Sequence, residues 1–135
     1  MKTGRQIAER WLYDTLSPLG SVYRGVAPRE AAYPYLAVSL VSGRDRRAGR
    51  DPVGLEIIQF DVSAWDEGTS AKAVNQLAGQ VVQAIDSAES VYVDGGLIVS
   101  CKRQSLIPLT GSEENGKRYQ RDGAIYELMV VSNYD

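Results

Sequence analysis

The chain has 135 residues, 44% of them hydrophobic and 24% charged, with a formal net charge of −2 and a pI near 5.2. That length supports one domain with a sizeable core and no disulfide staples, and the charge provides no overall attraction to nucleic acid or to an anionic membrane. There is no histidine and one cysteine, which excludes Ser-His-Asp, Cys-His and zinc constellations and leaves only carboxylate or lysine chemistry.

No apolar run approaches the 18 or so residues needed to span a bilayer. The opening MKTGRQIAERW carries charges through its first two turns without an apolar signal core, so a cleavable signal is not expected. Residues 5–16 place Ile7, Ala8, Trp11, Leu12 and Leu16 at helical spacing opposite Arg5, Glu9, Arg10 and Asp14, which predicts an amphipathic helix. Ser17-Pro18 and Gly20 end it. Residues 21–26 then read as a short strand or an extended arm.

The stretch 26–42 organises the chain. Pro28 and Pro34 fix φ near −65° and remove amide donors, so the corner between them is not helical. After it, Leu36, Val38 and Leu40 alternate with Tyr35, Ala37, Ser39 and Val41, the period of a strand with an inward face. Residues 43–54, GRDRRAGRDPVG, hold Arg44, Arg46, Arg47 and Arg50 and almost nothing to bury. They read either as a solvated hairpin tip or as an arm that meets an acidic partner or DNA phosphate. Residues 55–65 alternate again, Ile58, Phe60, Val62 and Ala64 against Ile57, Gln59, Asp61, Ser63 and Trp65, and should pair antiparallel with the preceding strand.

Asp61, Asp66 and Glu67 lack a spacing that supports acid–base or metal chemistry, and Asp61 reads as a solvent-facing strand residue. Ser70 is the expected cap of a helix over 71–88, in which Val74, Leu77, Val81 and Ile85 share one face. Burying those four side chains is worth roughly 6–12 kcal/mol before entropy is subtracted. A strand from Gly95-Gly96 to about Leu109 follows, bent or confined to an edge at Pro108. Cys101 lies in its alternation with Leu97 and Val99 and reads as a small buried hydrophobe. A polar turn over 110–116 leads to a closing strand with Tyr126, Leu128 and Val130 on one face.

This order implies an α+β domain over 1–135: one antiparallel sheet of four to five strands with two helices packed on one face. The opposite face would then show Tyr35, Val41, Ile57, Trp65, Ile125 and Met129, which suggests a partner surface, unless the sheet curls and covers itself. No catalytic residue, metal ligand or cofactor site is visible, so the chain is not read as an enzyme.

The corner VAP-x4-YPY at Val26 to Tyr35, the strand end F-D-V-x-A-W from Phe60 to Trp65 and the helix A-x2-V-x2-L-A-x2-V from Ala71 to Val81 follow in an order that resembles the phage tail-completion or tail-terminator family. The matching run extends from about Trp11 to Ile85. The resemblance implies a structural virion protein of the neck, assembled in the host cytoplasm as a ring, usually a hexamer, at the head-proximal end of the tail. There it stops tube growth and joins the tail tube protein to the head-side connector, with DNA passing the lumen without sequence-specific binding. It assigns Pro28, Tyr33, Pro34, Tyr35, Phe60 and Trp65 to fold and subunit contact. The arginine hairpin lies where the family varies; we expect it to project toward the lumen, the tube or the connector. Arg44, Arg46, Arg47, Arg50, Tyr35, Ile57, Trp65 and Met129 are therefore the interface candidates. The same ring in a gene-transfer particle or tail-like device, and a ferredoxin-like binding module, are the alternatives; the second would need an aromatic platform or convergent carboxylates.

Overall fold

The computed structural model describes residues 3–45, 53–114 and 116–133. Helix α1 spans Gly4–Leu16, followed by a 3-10 turn at Ser17–Leu19. Strands β1 (Val22–Arg24), β2 (Tyr35–Asp45) and β3 (Val53–Glu67) come next, then helix α2 (Lys72–Ile85) and strands β4 (Ala88–Val93), β5 (Gly96–Glu114) and β6 (Lys117–Asn133).

The helix starts are set by local hydrogen bonds. Thr3 caps α1 through a reciprocal box, its hydroxyl accepting from the Gln6 amide while the Gln6 side chain accepts from the Thr3 amide. In α2 the Ser70 hydroxyl accepts from the Lys72 amide, one position ahead of the cap residue Ala71. That helix stops at Ile85 and not at 88. Asp86 is extended and Ser87 adopts a positive φ of 66°, so the Ser87 amide turns to the Cys101 carbonyl and starts β4.

The sheet order is β1-β2-β3-β6-β5-β4. The expected antiparallel sheet of four to five strands with two helices on one face is not what forms. Among the described residues the sheet has six strands and is mixed, because β1 joins parallel to β2, and it curls into a half-barrel. The curl has two physical sources. Twist accumulates along strands of 15, 19 and 17 residues, and bulges interrupt β2 between Leu40 and Ser42 and β5 at three places. Two of the six strands had no strong period of their own: β1 is three residues long, and β4 follows α2 almost without a break.

The curl brings α1 near both edges of the sheet. Glu9 pairs with Arg24 of β1, while Ile7 and Trp11 line a cleft with Val93 at the end of β4. Inside, Leu12, Leu16, Val74 and Ile85 of the helices meet Leu36, Phe60, Val62, Tyr126 and Leu128. Leu40, read as inward, is 40% exposed; β1 ends at the partner of Val38, so among the described residues β2 is an edge strand at Leu40. Cys101 is fully buried, and burial, with Asp86 nearby, pushes its thiol up to about 12. Two glycines allow strands and helix to close up: a Cβ on Gly96 would collide with the Val131 carbonyl and Ile7, and one on Gly123 with Ser63 and the Val62 carbonyl.

Candidate interaction surface

The positions that alternate with the core residues gather three sets of side chains on the other side of the sheet. Around the proline corner, Tyr35 packs edge-on to Tyr23 of β1 at 5.4 Å and tilted to Tyr33 at 5.2 Å, and Tyr33 reaches Tyr119 of β6 at 5.9 Å. The Tyr33-Pro34 peptide bond is cis. The cluster joins β1, the corner, β2 and the start of β6, so the corner fixes the sheet end by aromatic contact. Burial first, then the neighbouring rings, raises the phenol pKa of Tyr33; burial also raises that of Tyr35.

Next along the sheet, Trp65 and Arg121 are cross-strand partners, and the Arg121 guanidinium lies 5.1 Å from the Trp65 ring. Arg121 also donates to the Asp61 carboxylate and, at 3.2 Å, to the Ser63 hydroxyl, which in turn donates to Asp61. Gly123, opposite Ser63, leaves the room this network occupies. Asp61, read from the sequence as a solvent-facing carboxylate, is thus half-buried and paired. Asp66 and Glu67 stand apart from it: Asp66 accepts from the Glu67 amide, and Glu67 faces Lys117 at 3.9 Å. Among the described residues no three His, Cys, Asp or Glu side chains are grouped to hold a metal ion.

A cleft of about 390 Å3 opens beside this network, with Tyr35, Trp65 and Arg121 on one side and Val26 of the loop after β1 on the other. Val26 is 94% exposed. Farther along, Ser42 donates to Gln59 at 3.0 Å and Gln59 to Glu127 at 3.3 Å, a polar ladder across β2, β3 and β6.

Of the interface candidates, Tyr35 and Trp65 come together as cross-strand partners of β2 and β3. Ile57 pairs with Met129 on one side and Arg44 on the other. Ile57 is only 6% exposed, Met129 and Ile125 are half-buried, and Val41 is exposed, so this face is not an open apolar sheet. Arg44 is exposed on β2, whereas Arg46, Arg47 and Arg50 lie outside the described residues. Sequence reasoning passed over Tyr23, Ser63, Tyr119 and Arg121. The signal that could have found Arg121 is its place opposite Trp65 in an antiparallel pair, which requires the β3–β6 register.

Three comparisons bear on this arrangement. The family described as Tail completion protein gp17 matches residues 14–130, a span that takes in the whole sheet but for the end of β6. No curated protein matches the chain. Among solved structures, a chain from the virion of a native gene transfer agent particle superposes with a TM-score of 0.66 at 18% identity, over 98% of this chain and 100% of that one. At that identity the likeness establishes a shared fold.

Proposed function

The chain belongs to the tail completion protein gp17 family, and from that membership we propose that it is a structural protein of a phage virion that forms a ring at the head-proximal end of the tail. The ring, hexameric in this reading, ends growth of the tail tube and presents a docking surface to the head-side connector. The observation that carries the reading is the extent of the family match, which takes in the proline corner, both central strands and α2. The surface is consistent with it: beside the cleft Tyr35 is packed against Tyr23 and Tyr33, and Arg121 is taken up by Trp65, Asp61 and Ser63, so these side chains are engaged within the chain and offer a contact surface rather than a reactive group. In the same reading, Arg44 and the arginines of the sequence after it serve contact with DNA in the lumen, with the tube or with the connector.

The test is reconstitution. Tails made without this protein are mixed with filled heads, with and without the purified chain, and joined particles are counted. Joining that depends on the added chain is the expected result; heads that join equally well without it overturn the proposal. Reversing Arg44, Arg46, Arg47 and Arg50 to Glu is expected to lower the yield of joined particles, and a normal yield would remove the arginines from the account. The same ring serving a gene-transfer particle is a second reading, favoured by the source of the chain that shares the fold. Sequencing the packaged DNA separates the two: one genome indicates a phage, random host fragments a gene-transfer particle.

A further inference from the structure

The two edges of the sheet differ in charge and shape. Strand β4 and its flanks contain Asp86, Glu89 and Asp94, with Lys102 and Arg103 following on β5 beside Asp86, and Glu89 is exposed on β4 itself. In β4, Val91 and Val93 pack against the core, and Tyr92 between them points away and is 83% exposed. The opposite edge, β1, carries Arg24. Beside it α1 exposes Arg5 and Arg10, with Glu9 and Asp14 as the acids they pair with, three positive charges against two negative. Between α1 and β1 runs a groove of about 390 Å3, lined by Tyr13, Val22 and Val38 with Arg10 and Arg24.

We propose that copies of this chain associate head to tail, Tyr92 of one copy seated in the α1–β1 groove of the next and Glu89 facing Arg24. An exposed tyrosine on an edge strand contributes little to its own fold, but it is the residue type that anchors interfaces when its ring fills an apolar pocket and its hydroxyl stays at the rim. Glu89 beside the knob and Arg24 at the groove attract each other, while Glu89 repels its own copy, which disfavours pairing edge β4 with edge β4. Knob and socket sit on opposite edges of the sheet, so the contact is heterologous and closes into a ring when the rotation between copies divides a circle. The proposal rests on the ring reading above and supplies its subunit contact.

Paired cysteine variants test it. Arg24→Cys and Glu89→Cys, which leave Tyr92, Tyr13 and the apolar lining in place, are made in separate chains and in one chain. The buried Cys101, its thiol pushed up to about 12, stays out of exchange. Under mild oxidation, in solution and on tail tubes, the mixture of single variants is expected to give a crosslinked dimer and the double variant a ladder ending at the ring. Each single variant alone stays uncrosslinked. Tyr92→Ala in the Glu89→Cys chain is expected to cut crosslinking about tenfold. A mixture that does not crosslink, or Glu89→Cys crosslinking to itself, overturns the contact. Rings visible on tail tips without the 24–89 crosslink reject this contact and leave the ring reading standing; the absence of both rejects both.

Discussion

On the side of the sheet that meets the helices, Phe60, Val62, Tyr126 and Leu128 are buried in one apolar cluster. On the other side the same strands carry Asp61, Ser63, Arg121 and Glu127 among tyrosines and Trp65. The first side is held by area removed from water, which is non-directional and tolerates approximate fit. The second is held by contacts such as Trp65–Arg121, Asp61–Arg121 and Gln59–Glu127 that join different strands and work only in one register. The first therefore sets whether the chain folds, and the second what the folded chain presents.

The most severe loss is expected at Leu77, almost fully buried on α2 against the sheet. Leu77→Asp places an unpaired charge in the core and is expected to cost more than about 4 kcal/mol, abolishing the cooperative melt followed by circular dichroism. On the other side, Arg121→Ala leaves the half-buried Asp61 carboxylate with the Ser63 hydroxyl but without its counter-charge, and uncovers Trp65. A loss of about 1–3 kcal/mol by urea denaturation is expected. Arg121→Lys recovers only part of it, because a lysine cannot reach Asp61 and Ser63 together. If Arg121→Ala melted like the parent chain, the polar network would be ornament and not structure.

Alkaline pH sharpens the contrast within the core. Burial raises the Cys101 thiol from 9.0 and the Tyr126 phenol from 10.0, each to about 12. The folded chain then holds these protons more tightly than the unfolded chain. Their contribution is complete below about pH 9 and is lost as pH rises from there through 12. Denaturation midpoints are expected to be flat up to that range and then to fall, with Tyr126→Phe falling less steeply. The smallest effect lies at the α2–β4 junction, where Ser87 holds a φ of 66°. Ser87→Gly relieves that conformation and is expected to stabilise by about 0.5–1 kcal/mol, read as a small rise in Tm.

Both helices and the central strands were legible in the sequence because each carries a repeated period: Ile7, Trp11 and Leu12 in α1, Val74, Leu77 and Val81 in α2, Phe60 and Val62 in β3. Strand β4 was not, since Asp86 and Ser87 end the helix without a glycine or proline to mark it. The parallel pairing of β1 and the curl of the sheet are likewise tertiary: three residues carry no direction, and twist accumulates only over strands whose full lengths the pattern did not reveal. Strand β5 runs on through residues read as a polar turn, to Glu114. Of the interface candidates, Tyr35 and Trp65 stood out as aromatics in a motif. Their partners Tyr23, Tyr119 and Arg121 did not, because neighbours across a sheet are distant in sequence and only the register joins them.

The ring itself is tested most directly by the mass of the purified chain across a concentration series, with images of tail tips to which it has been added. The account predicts closed rings of about six subunits, in solution or on the head-proximal tip alone. A chain that stays monomeric at every concentration and leaves the tail tips bare would contradict it.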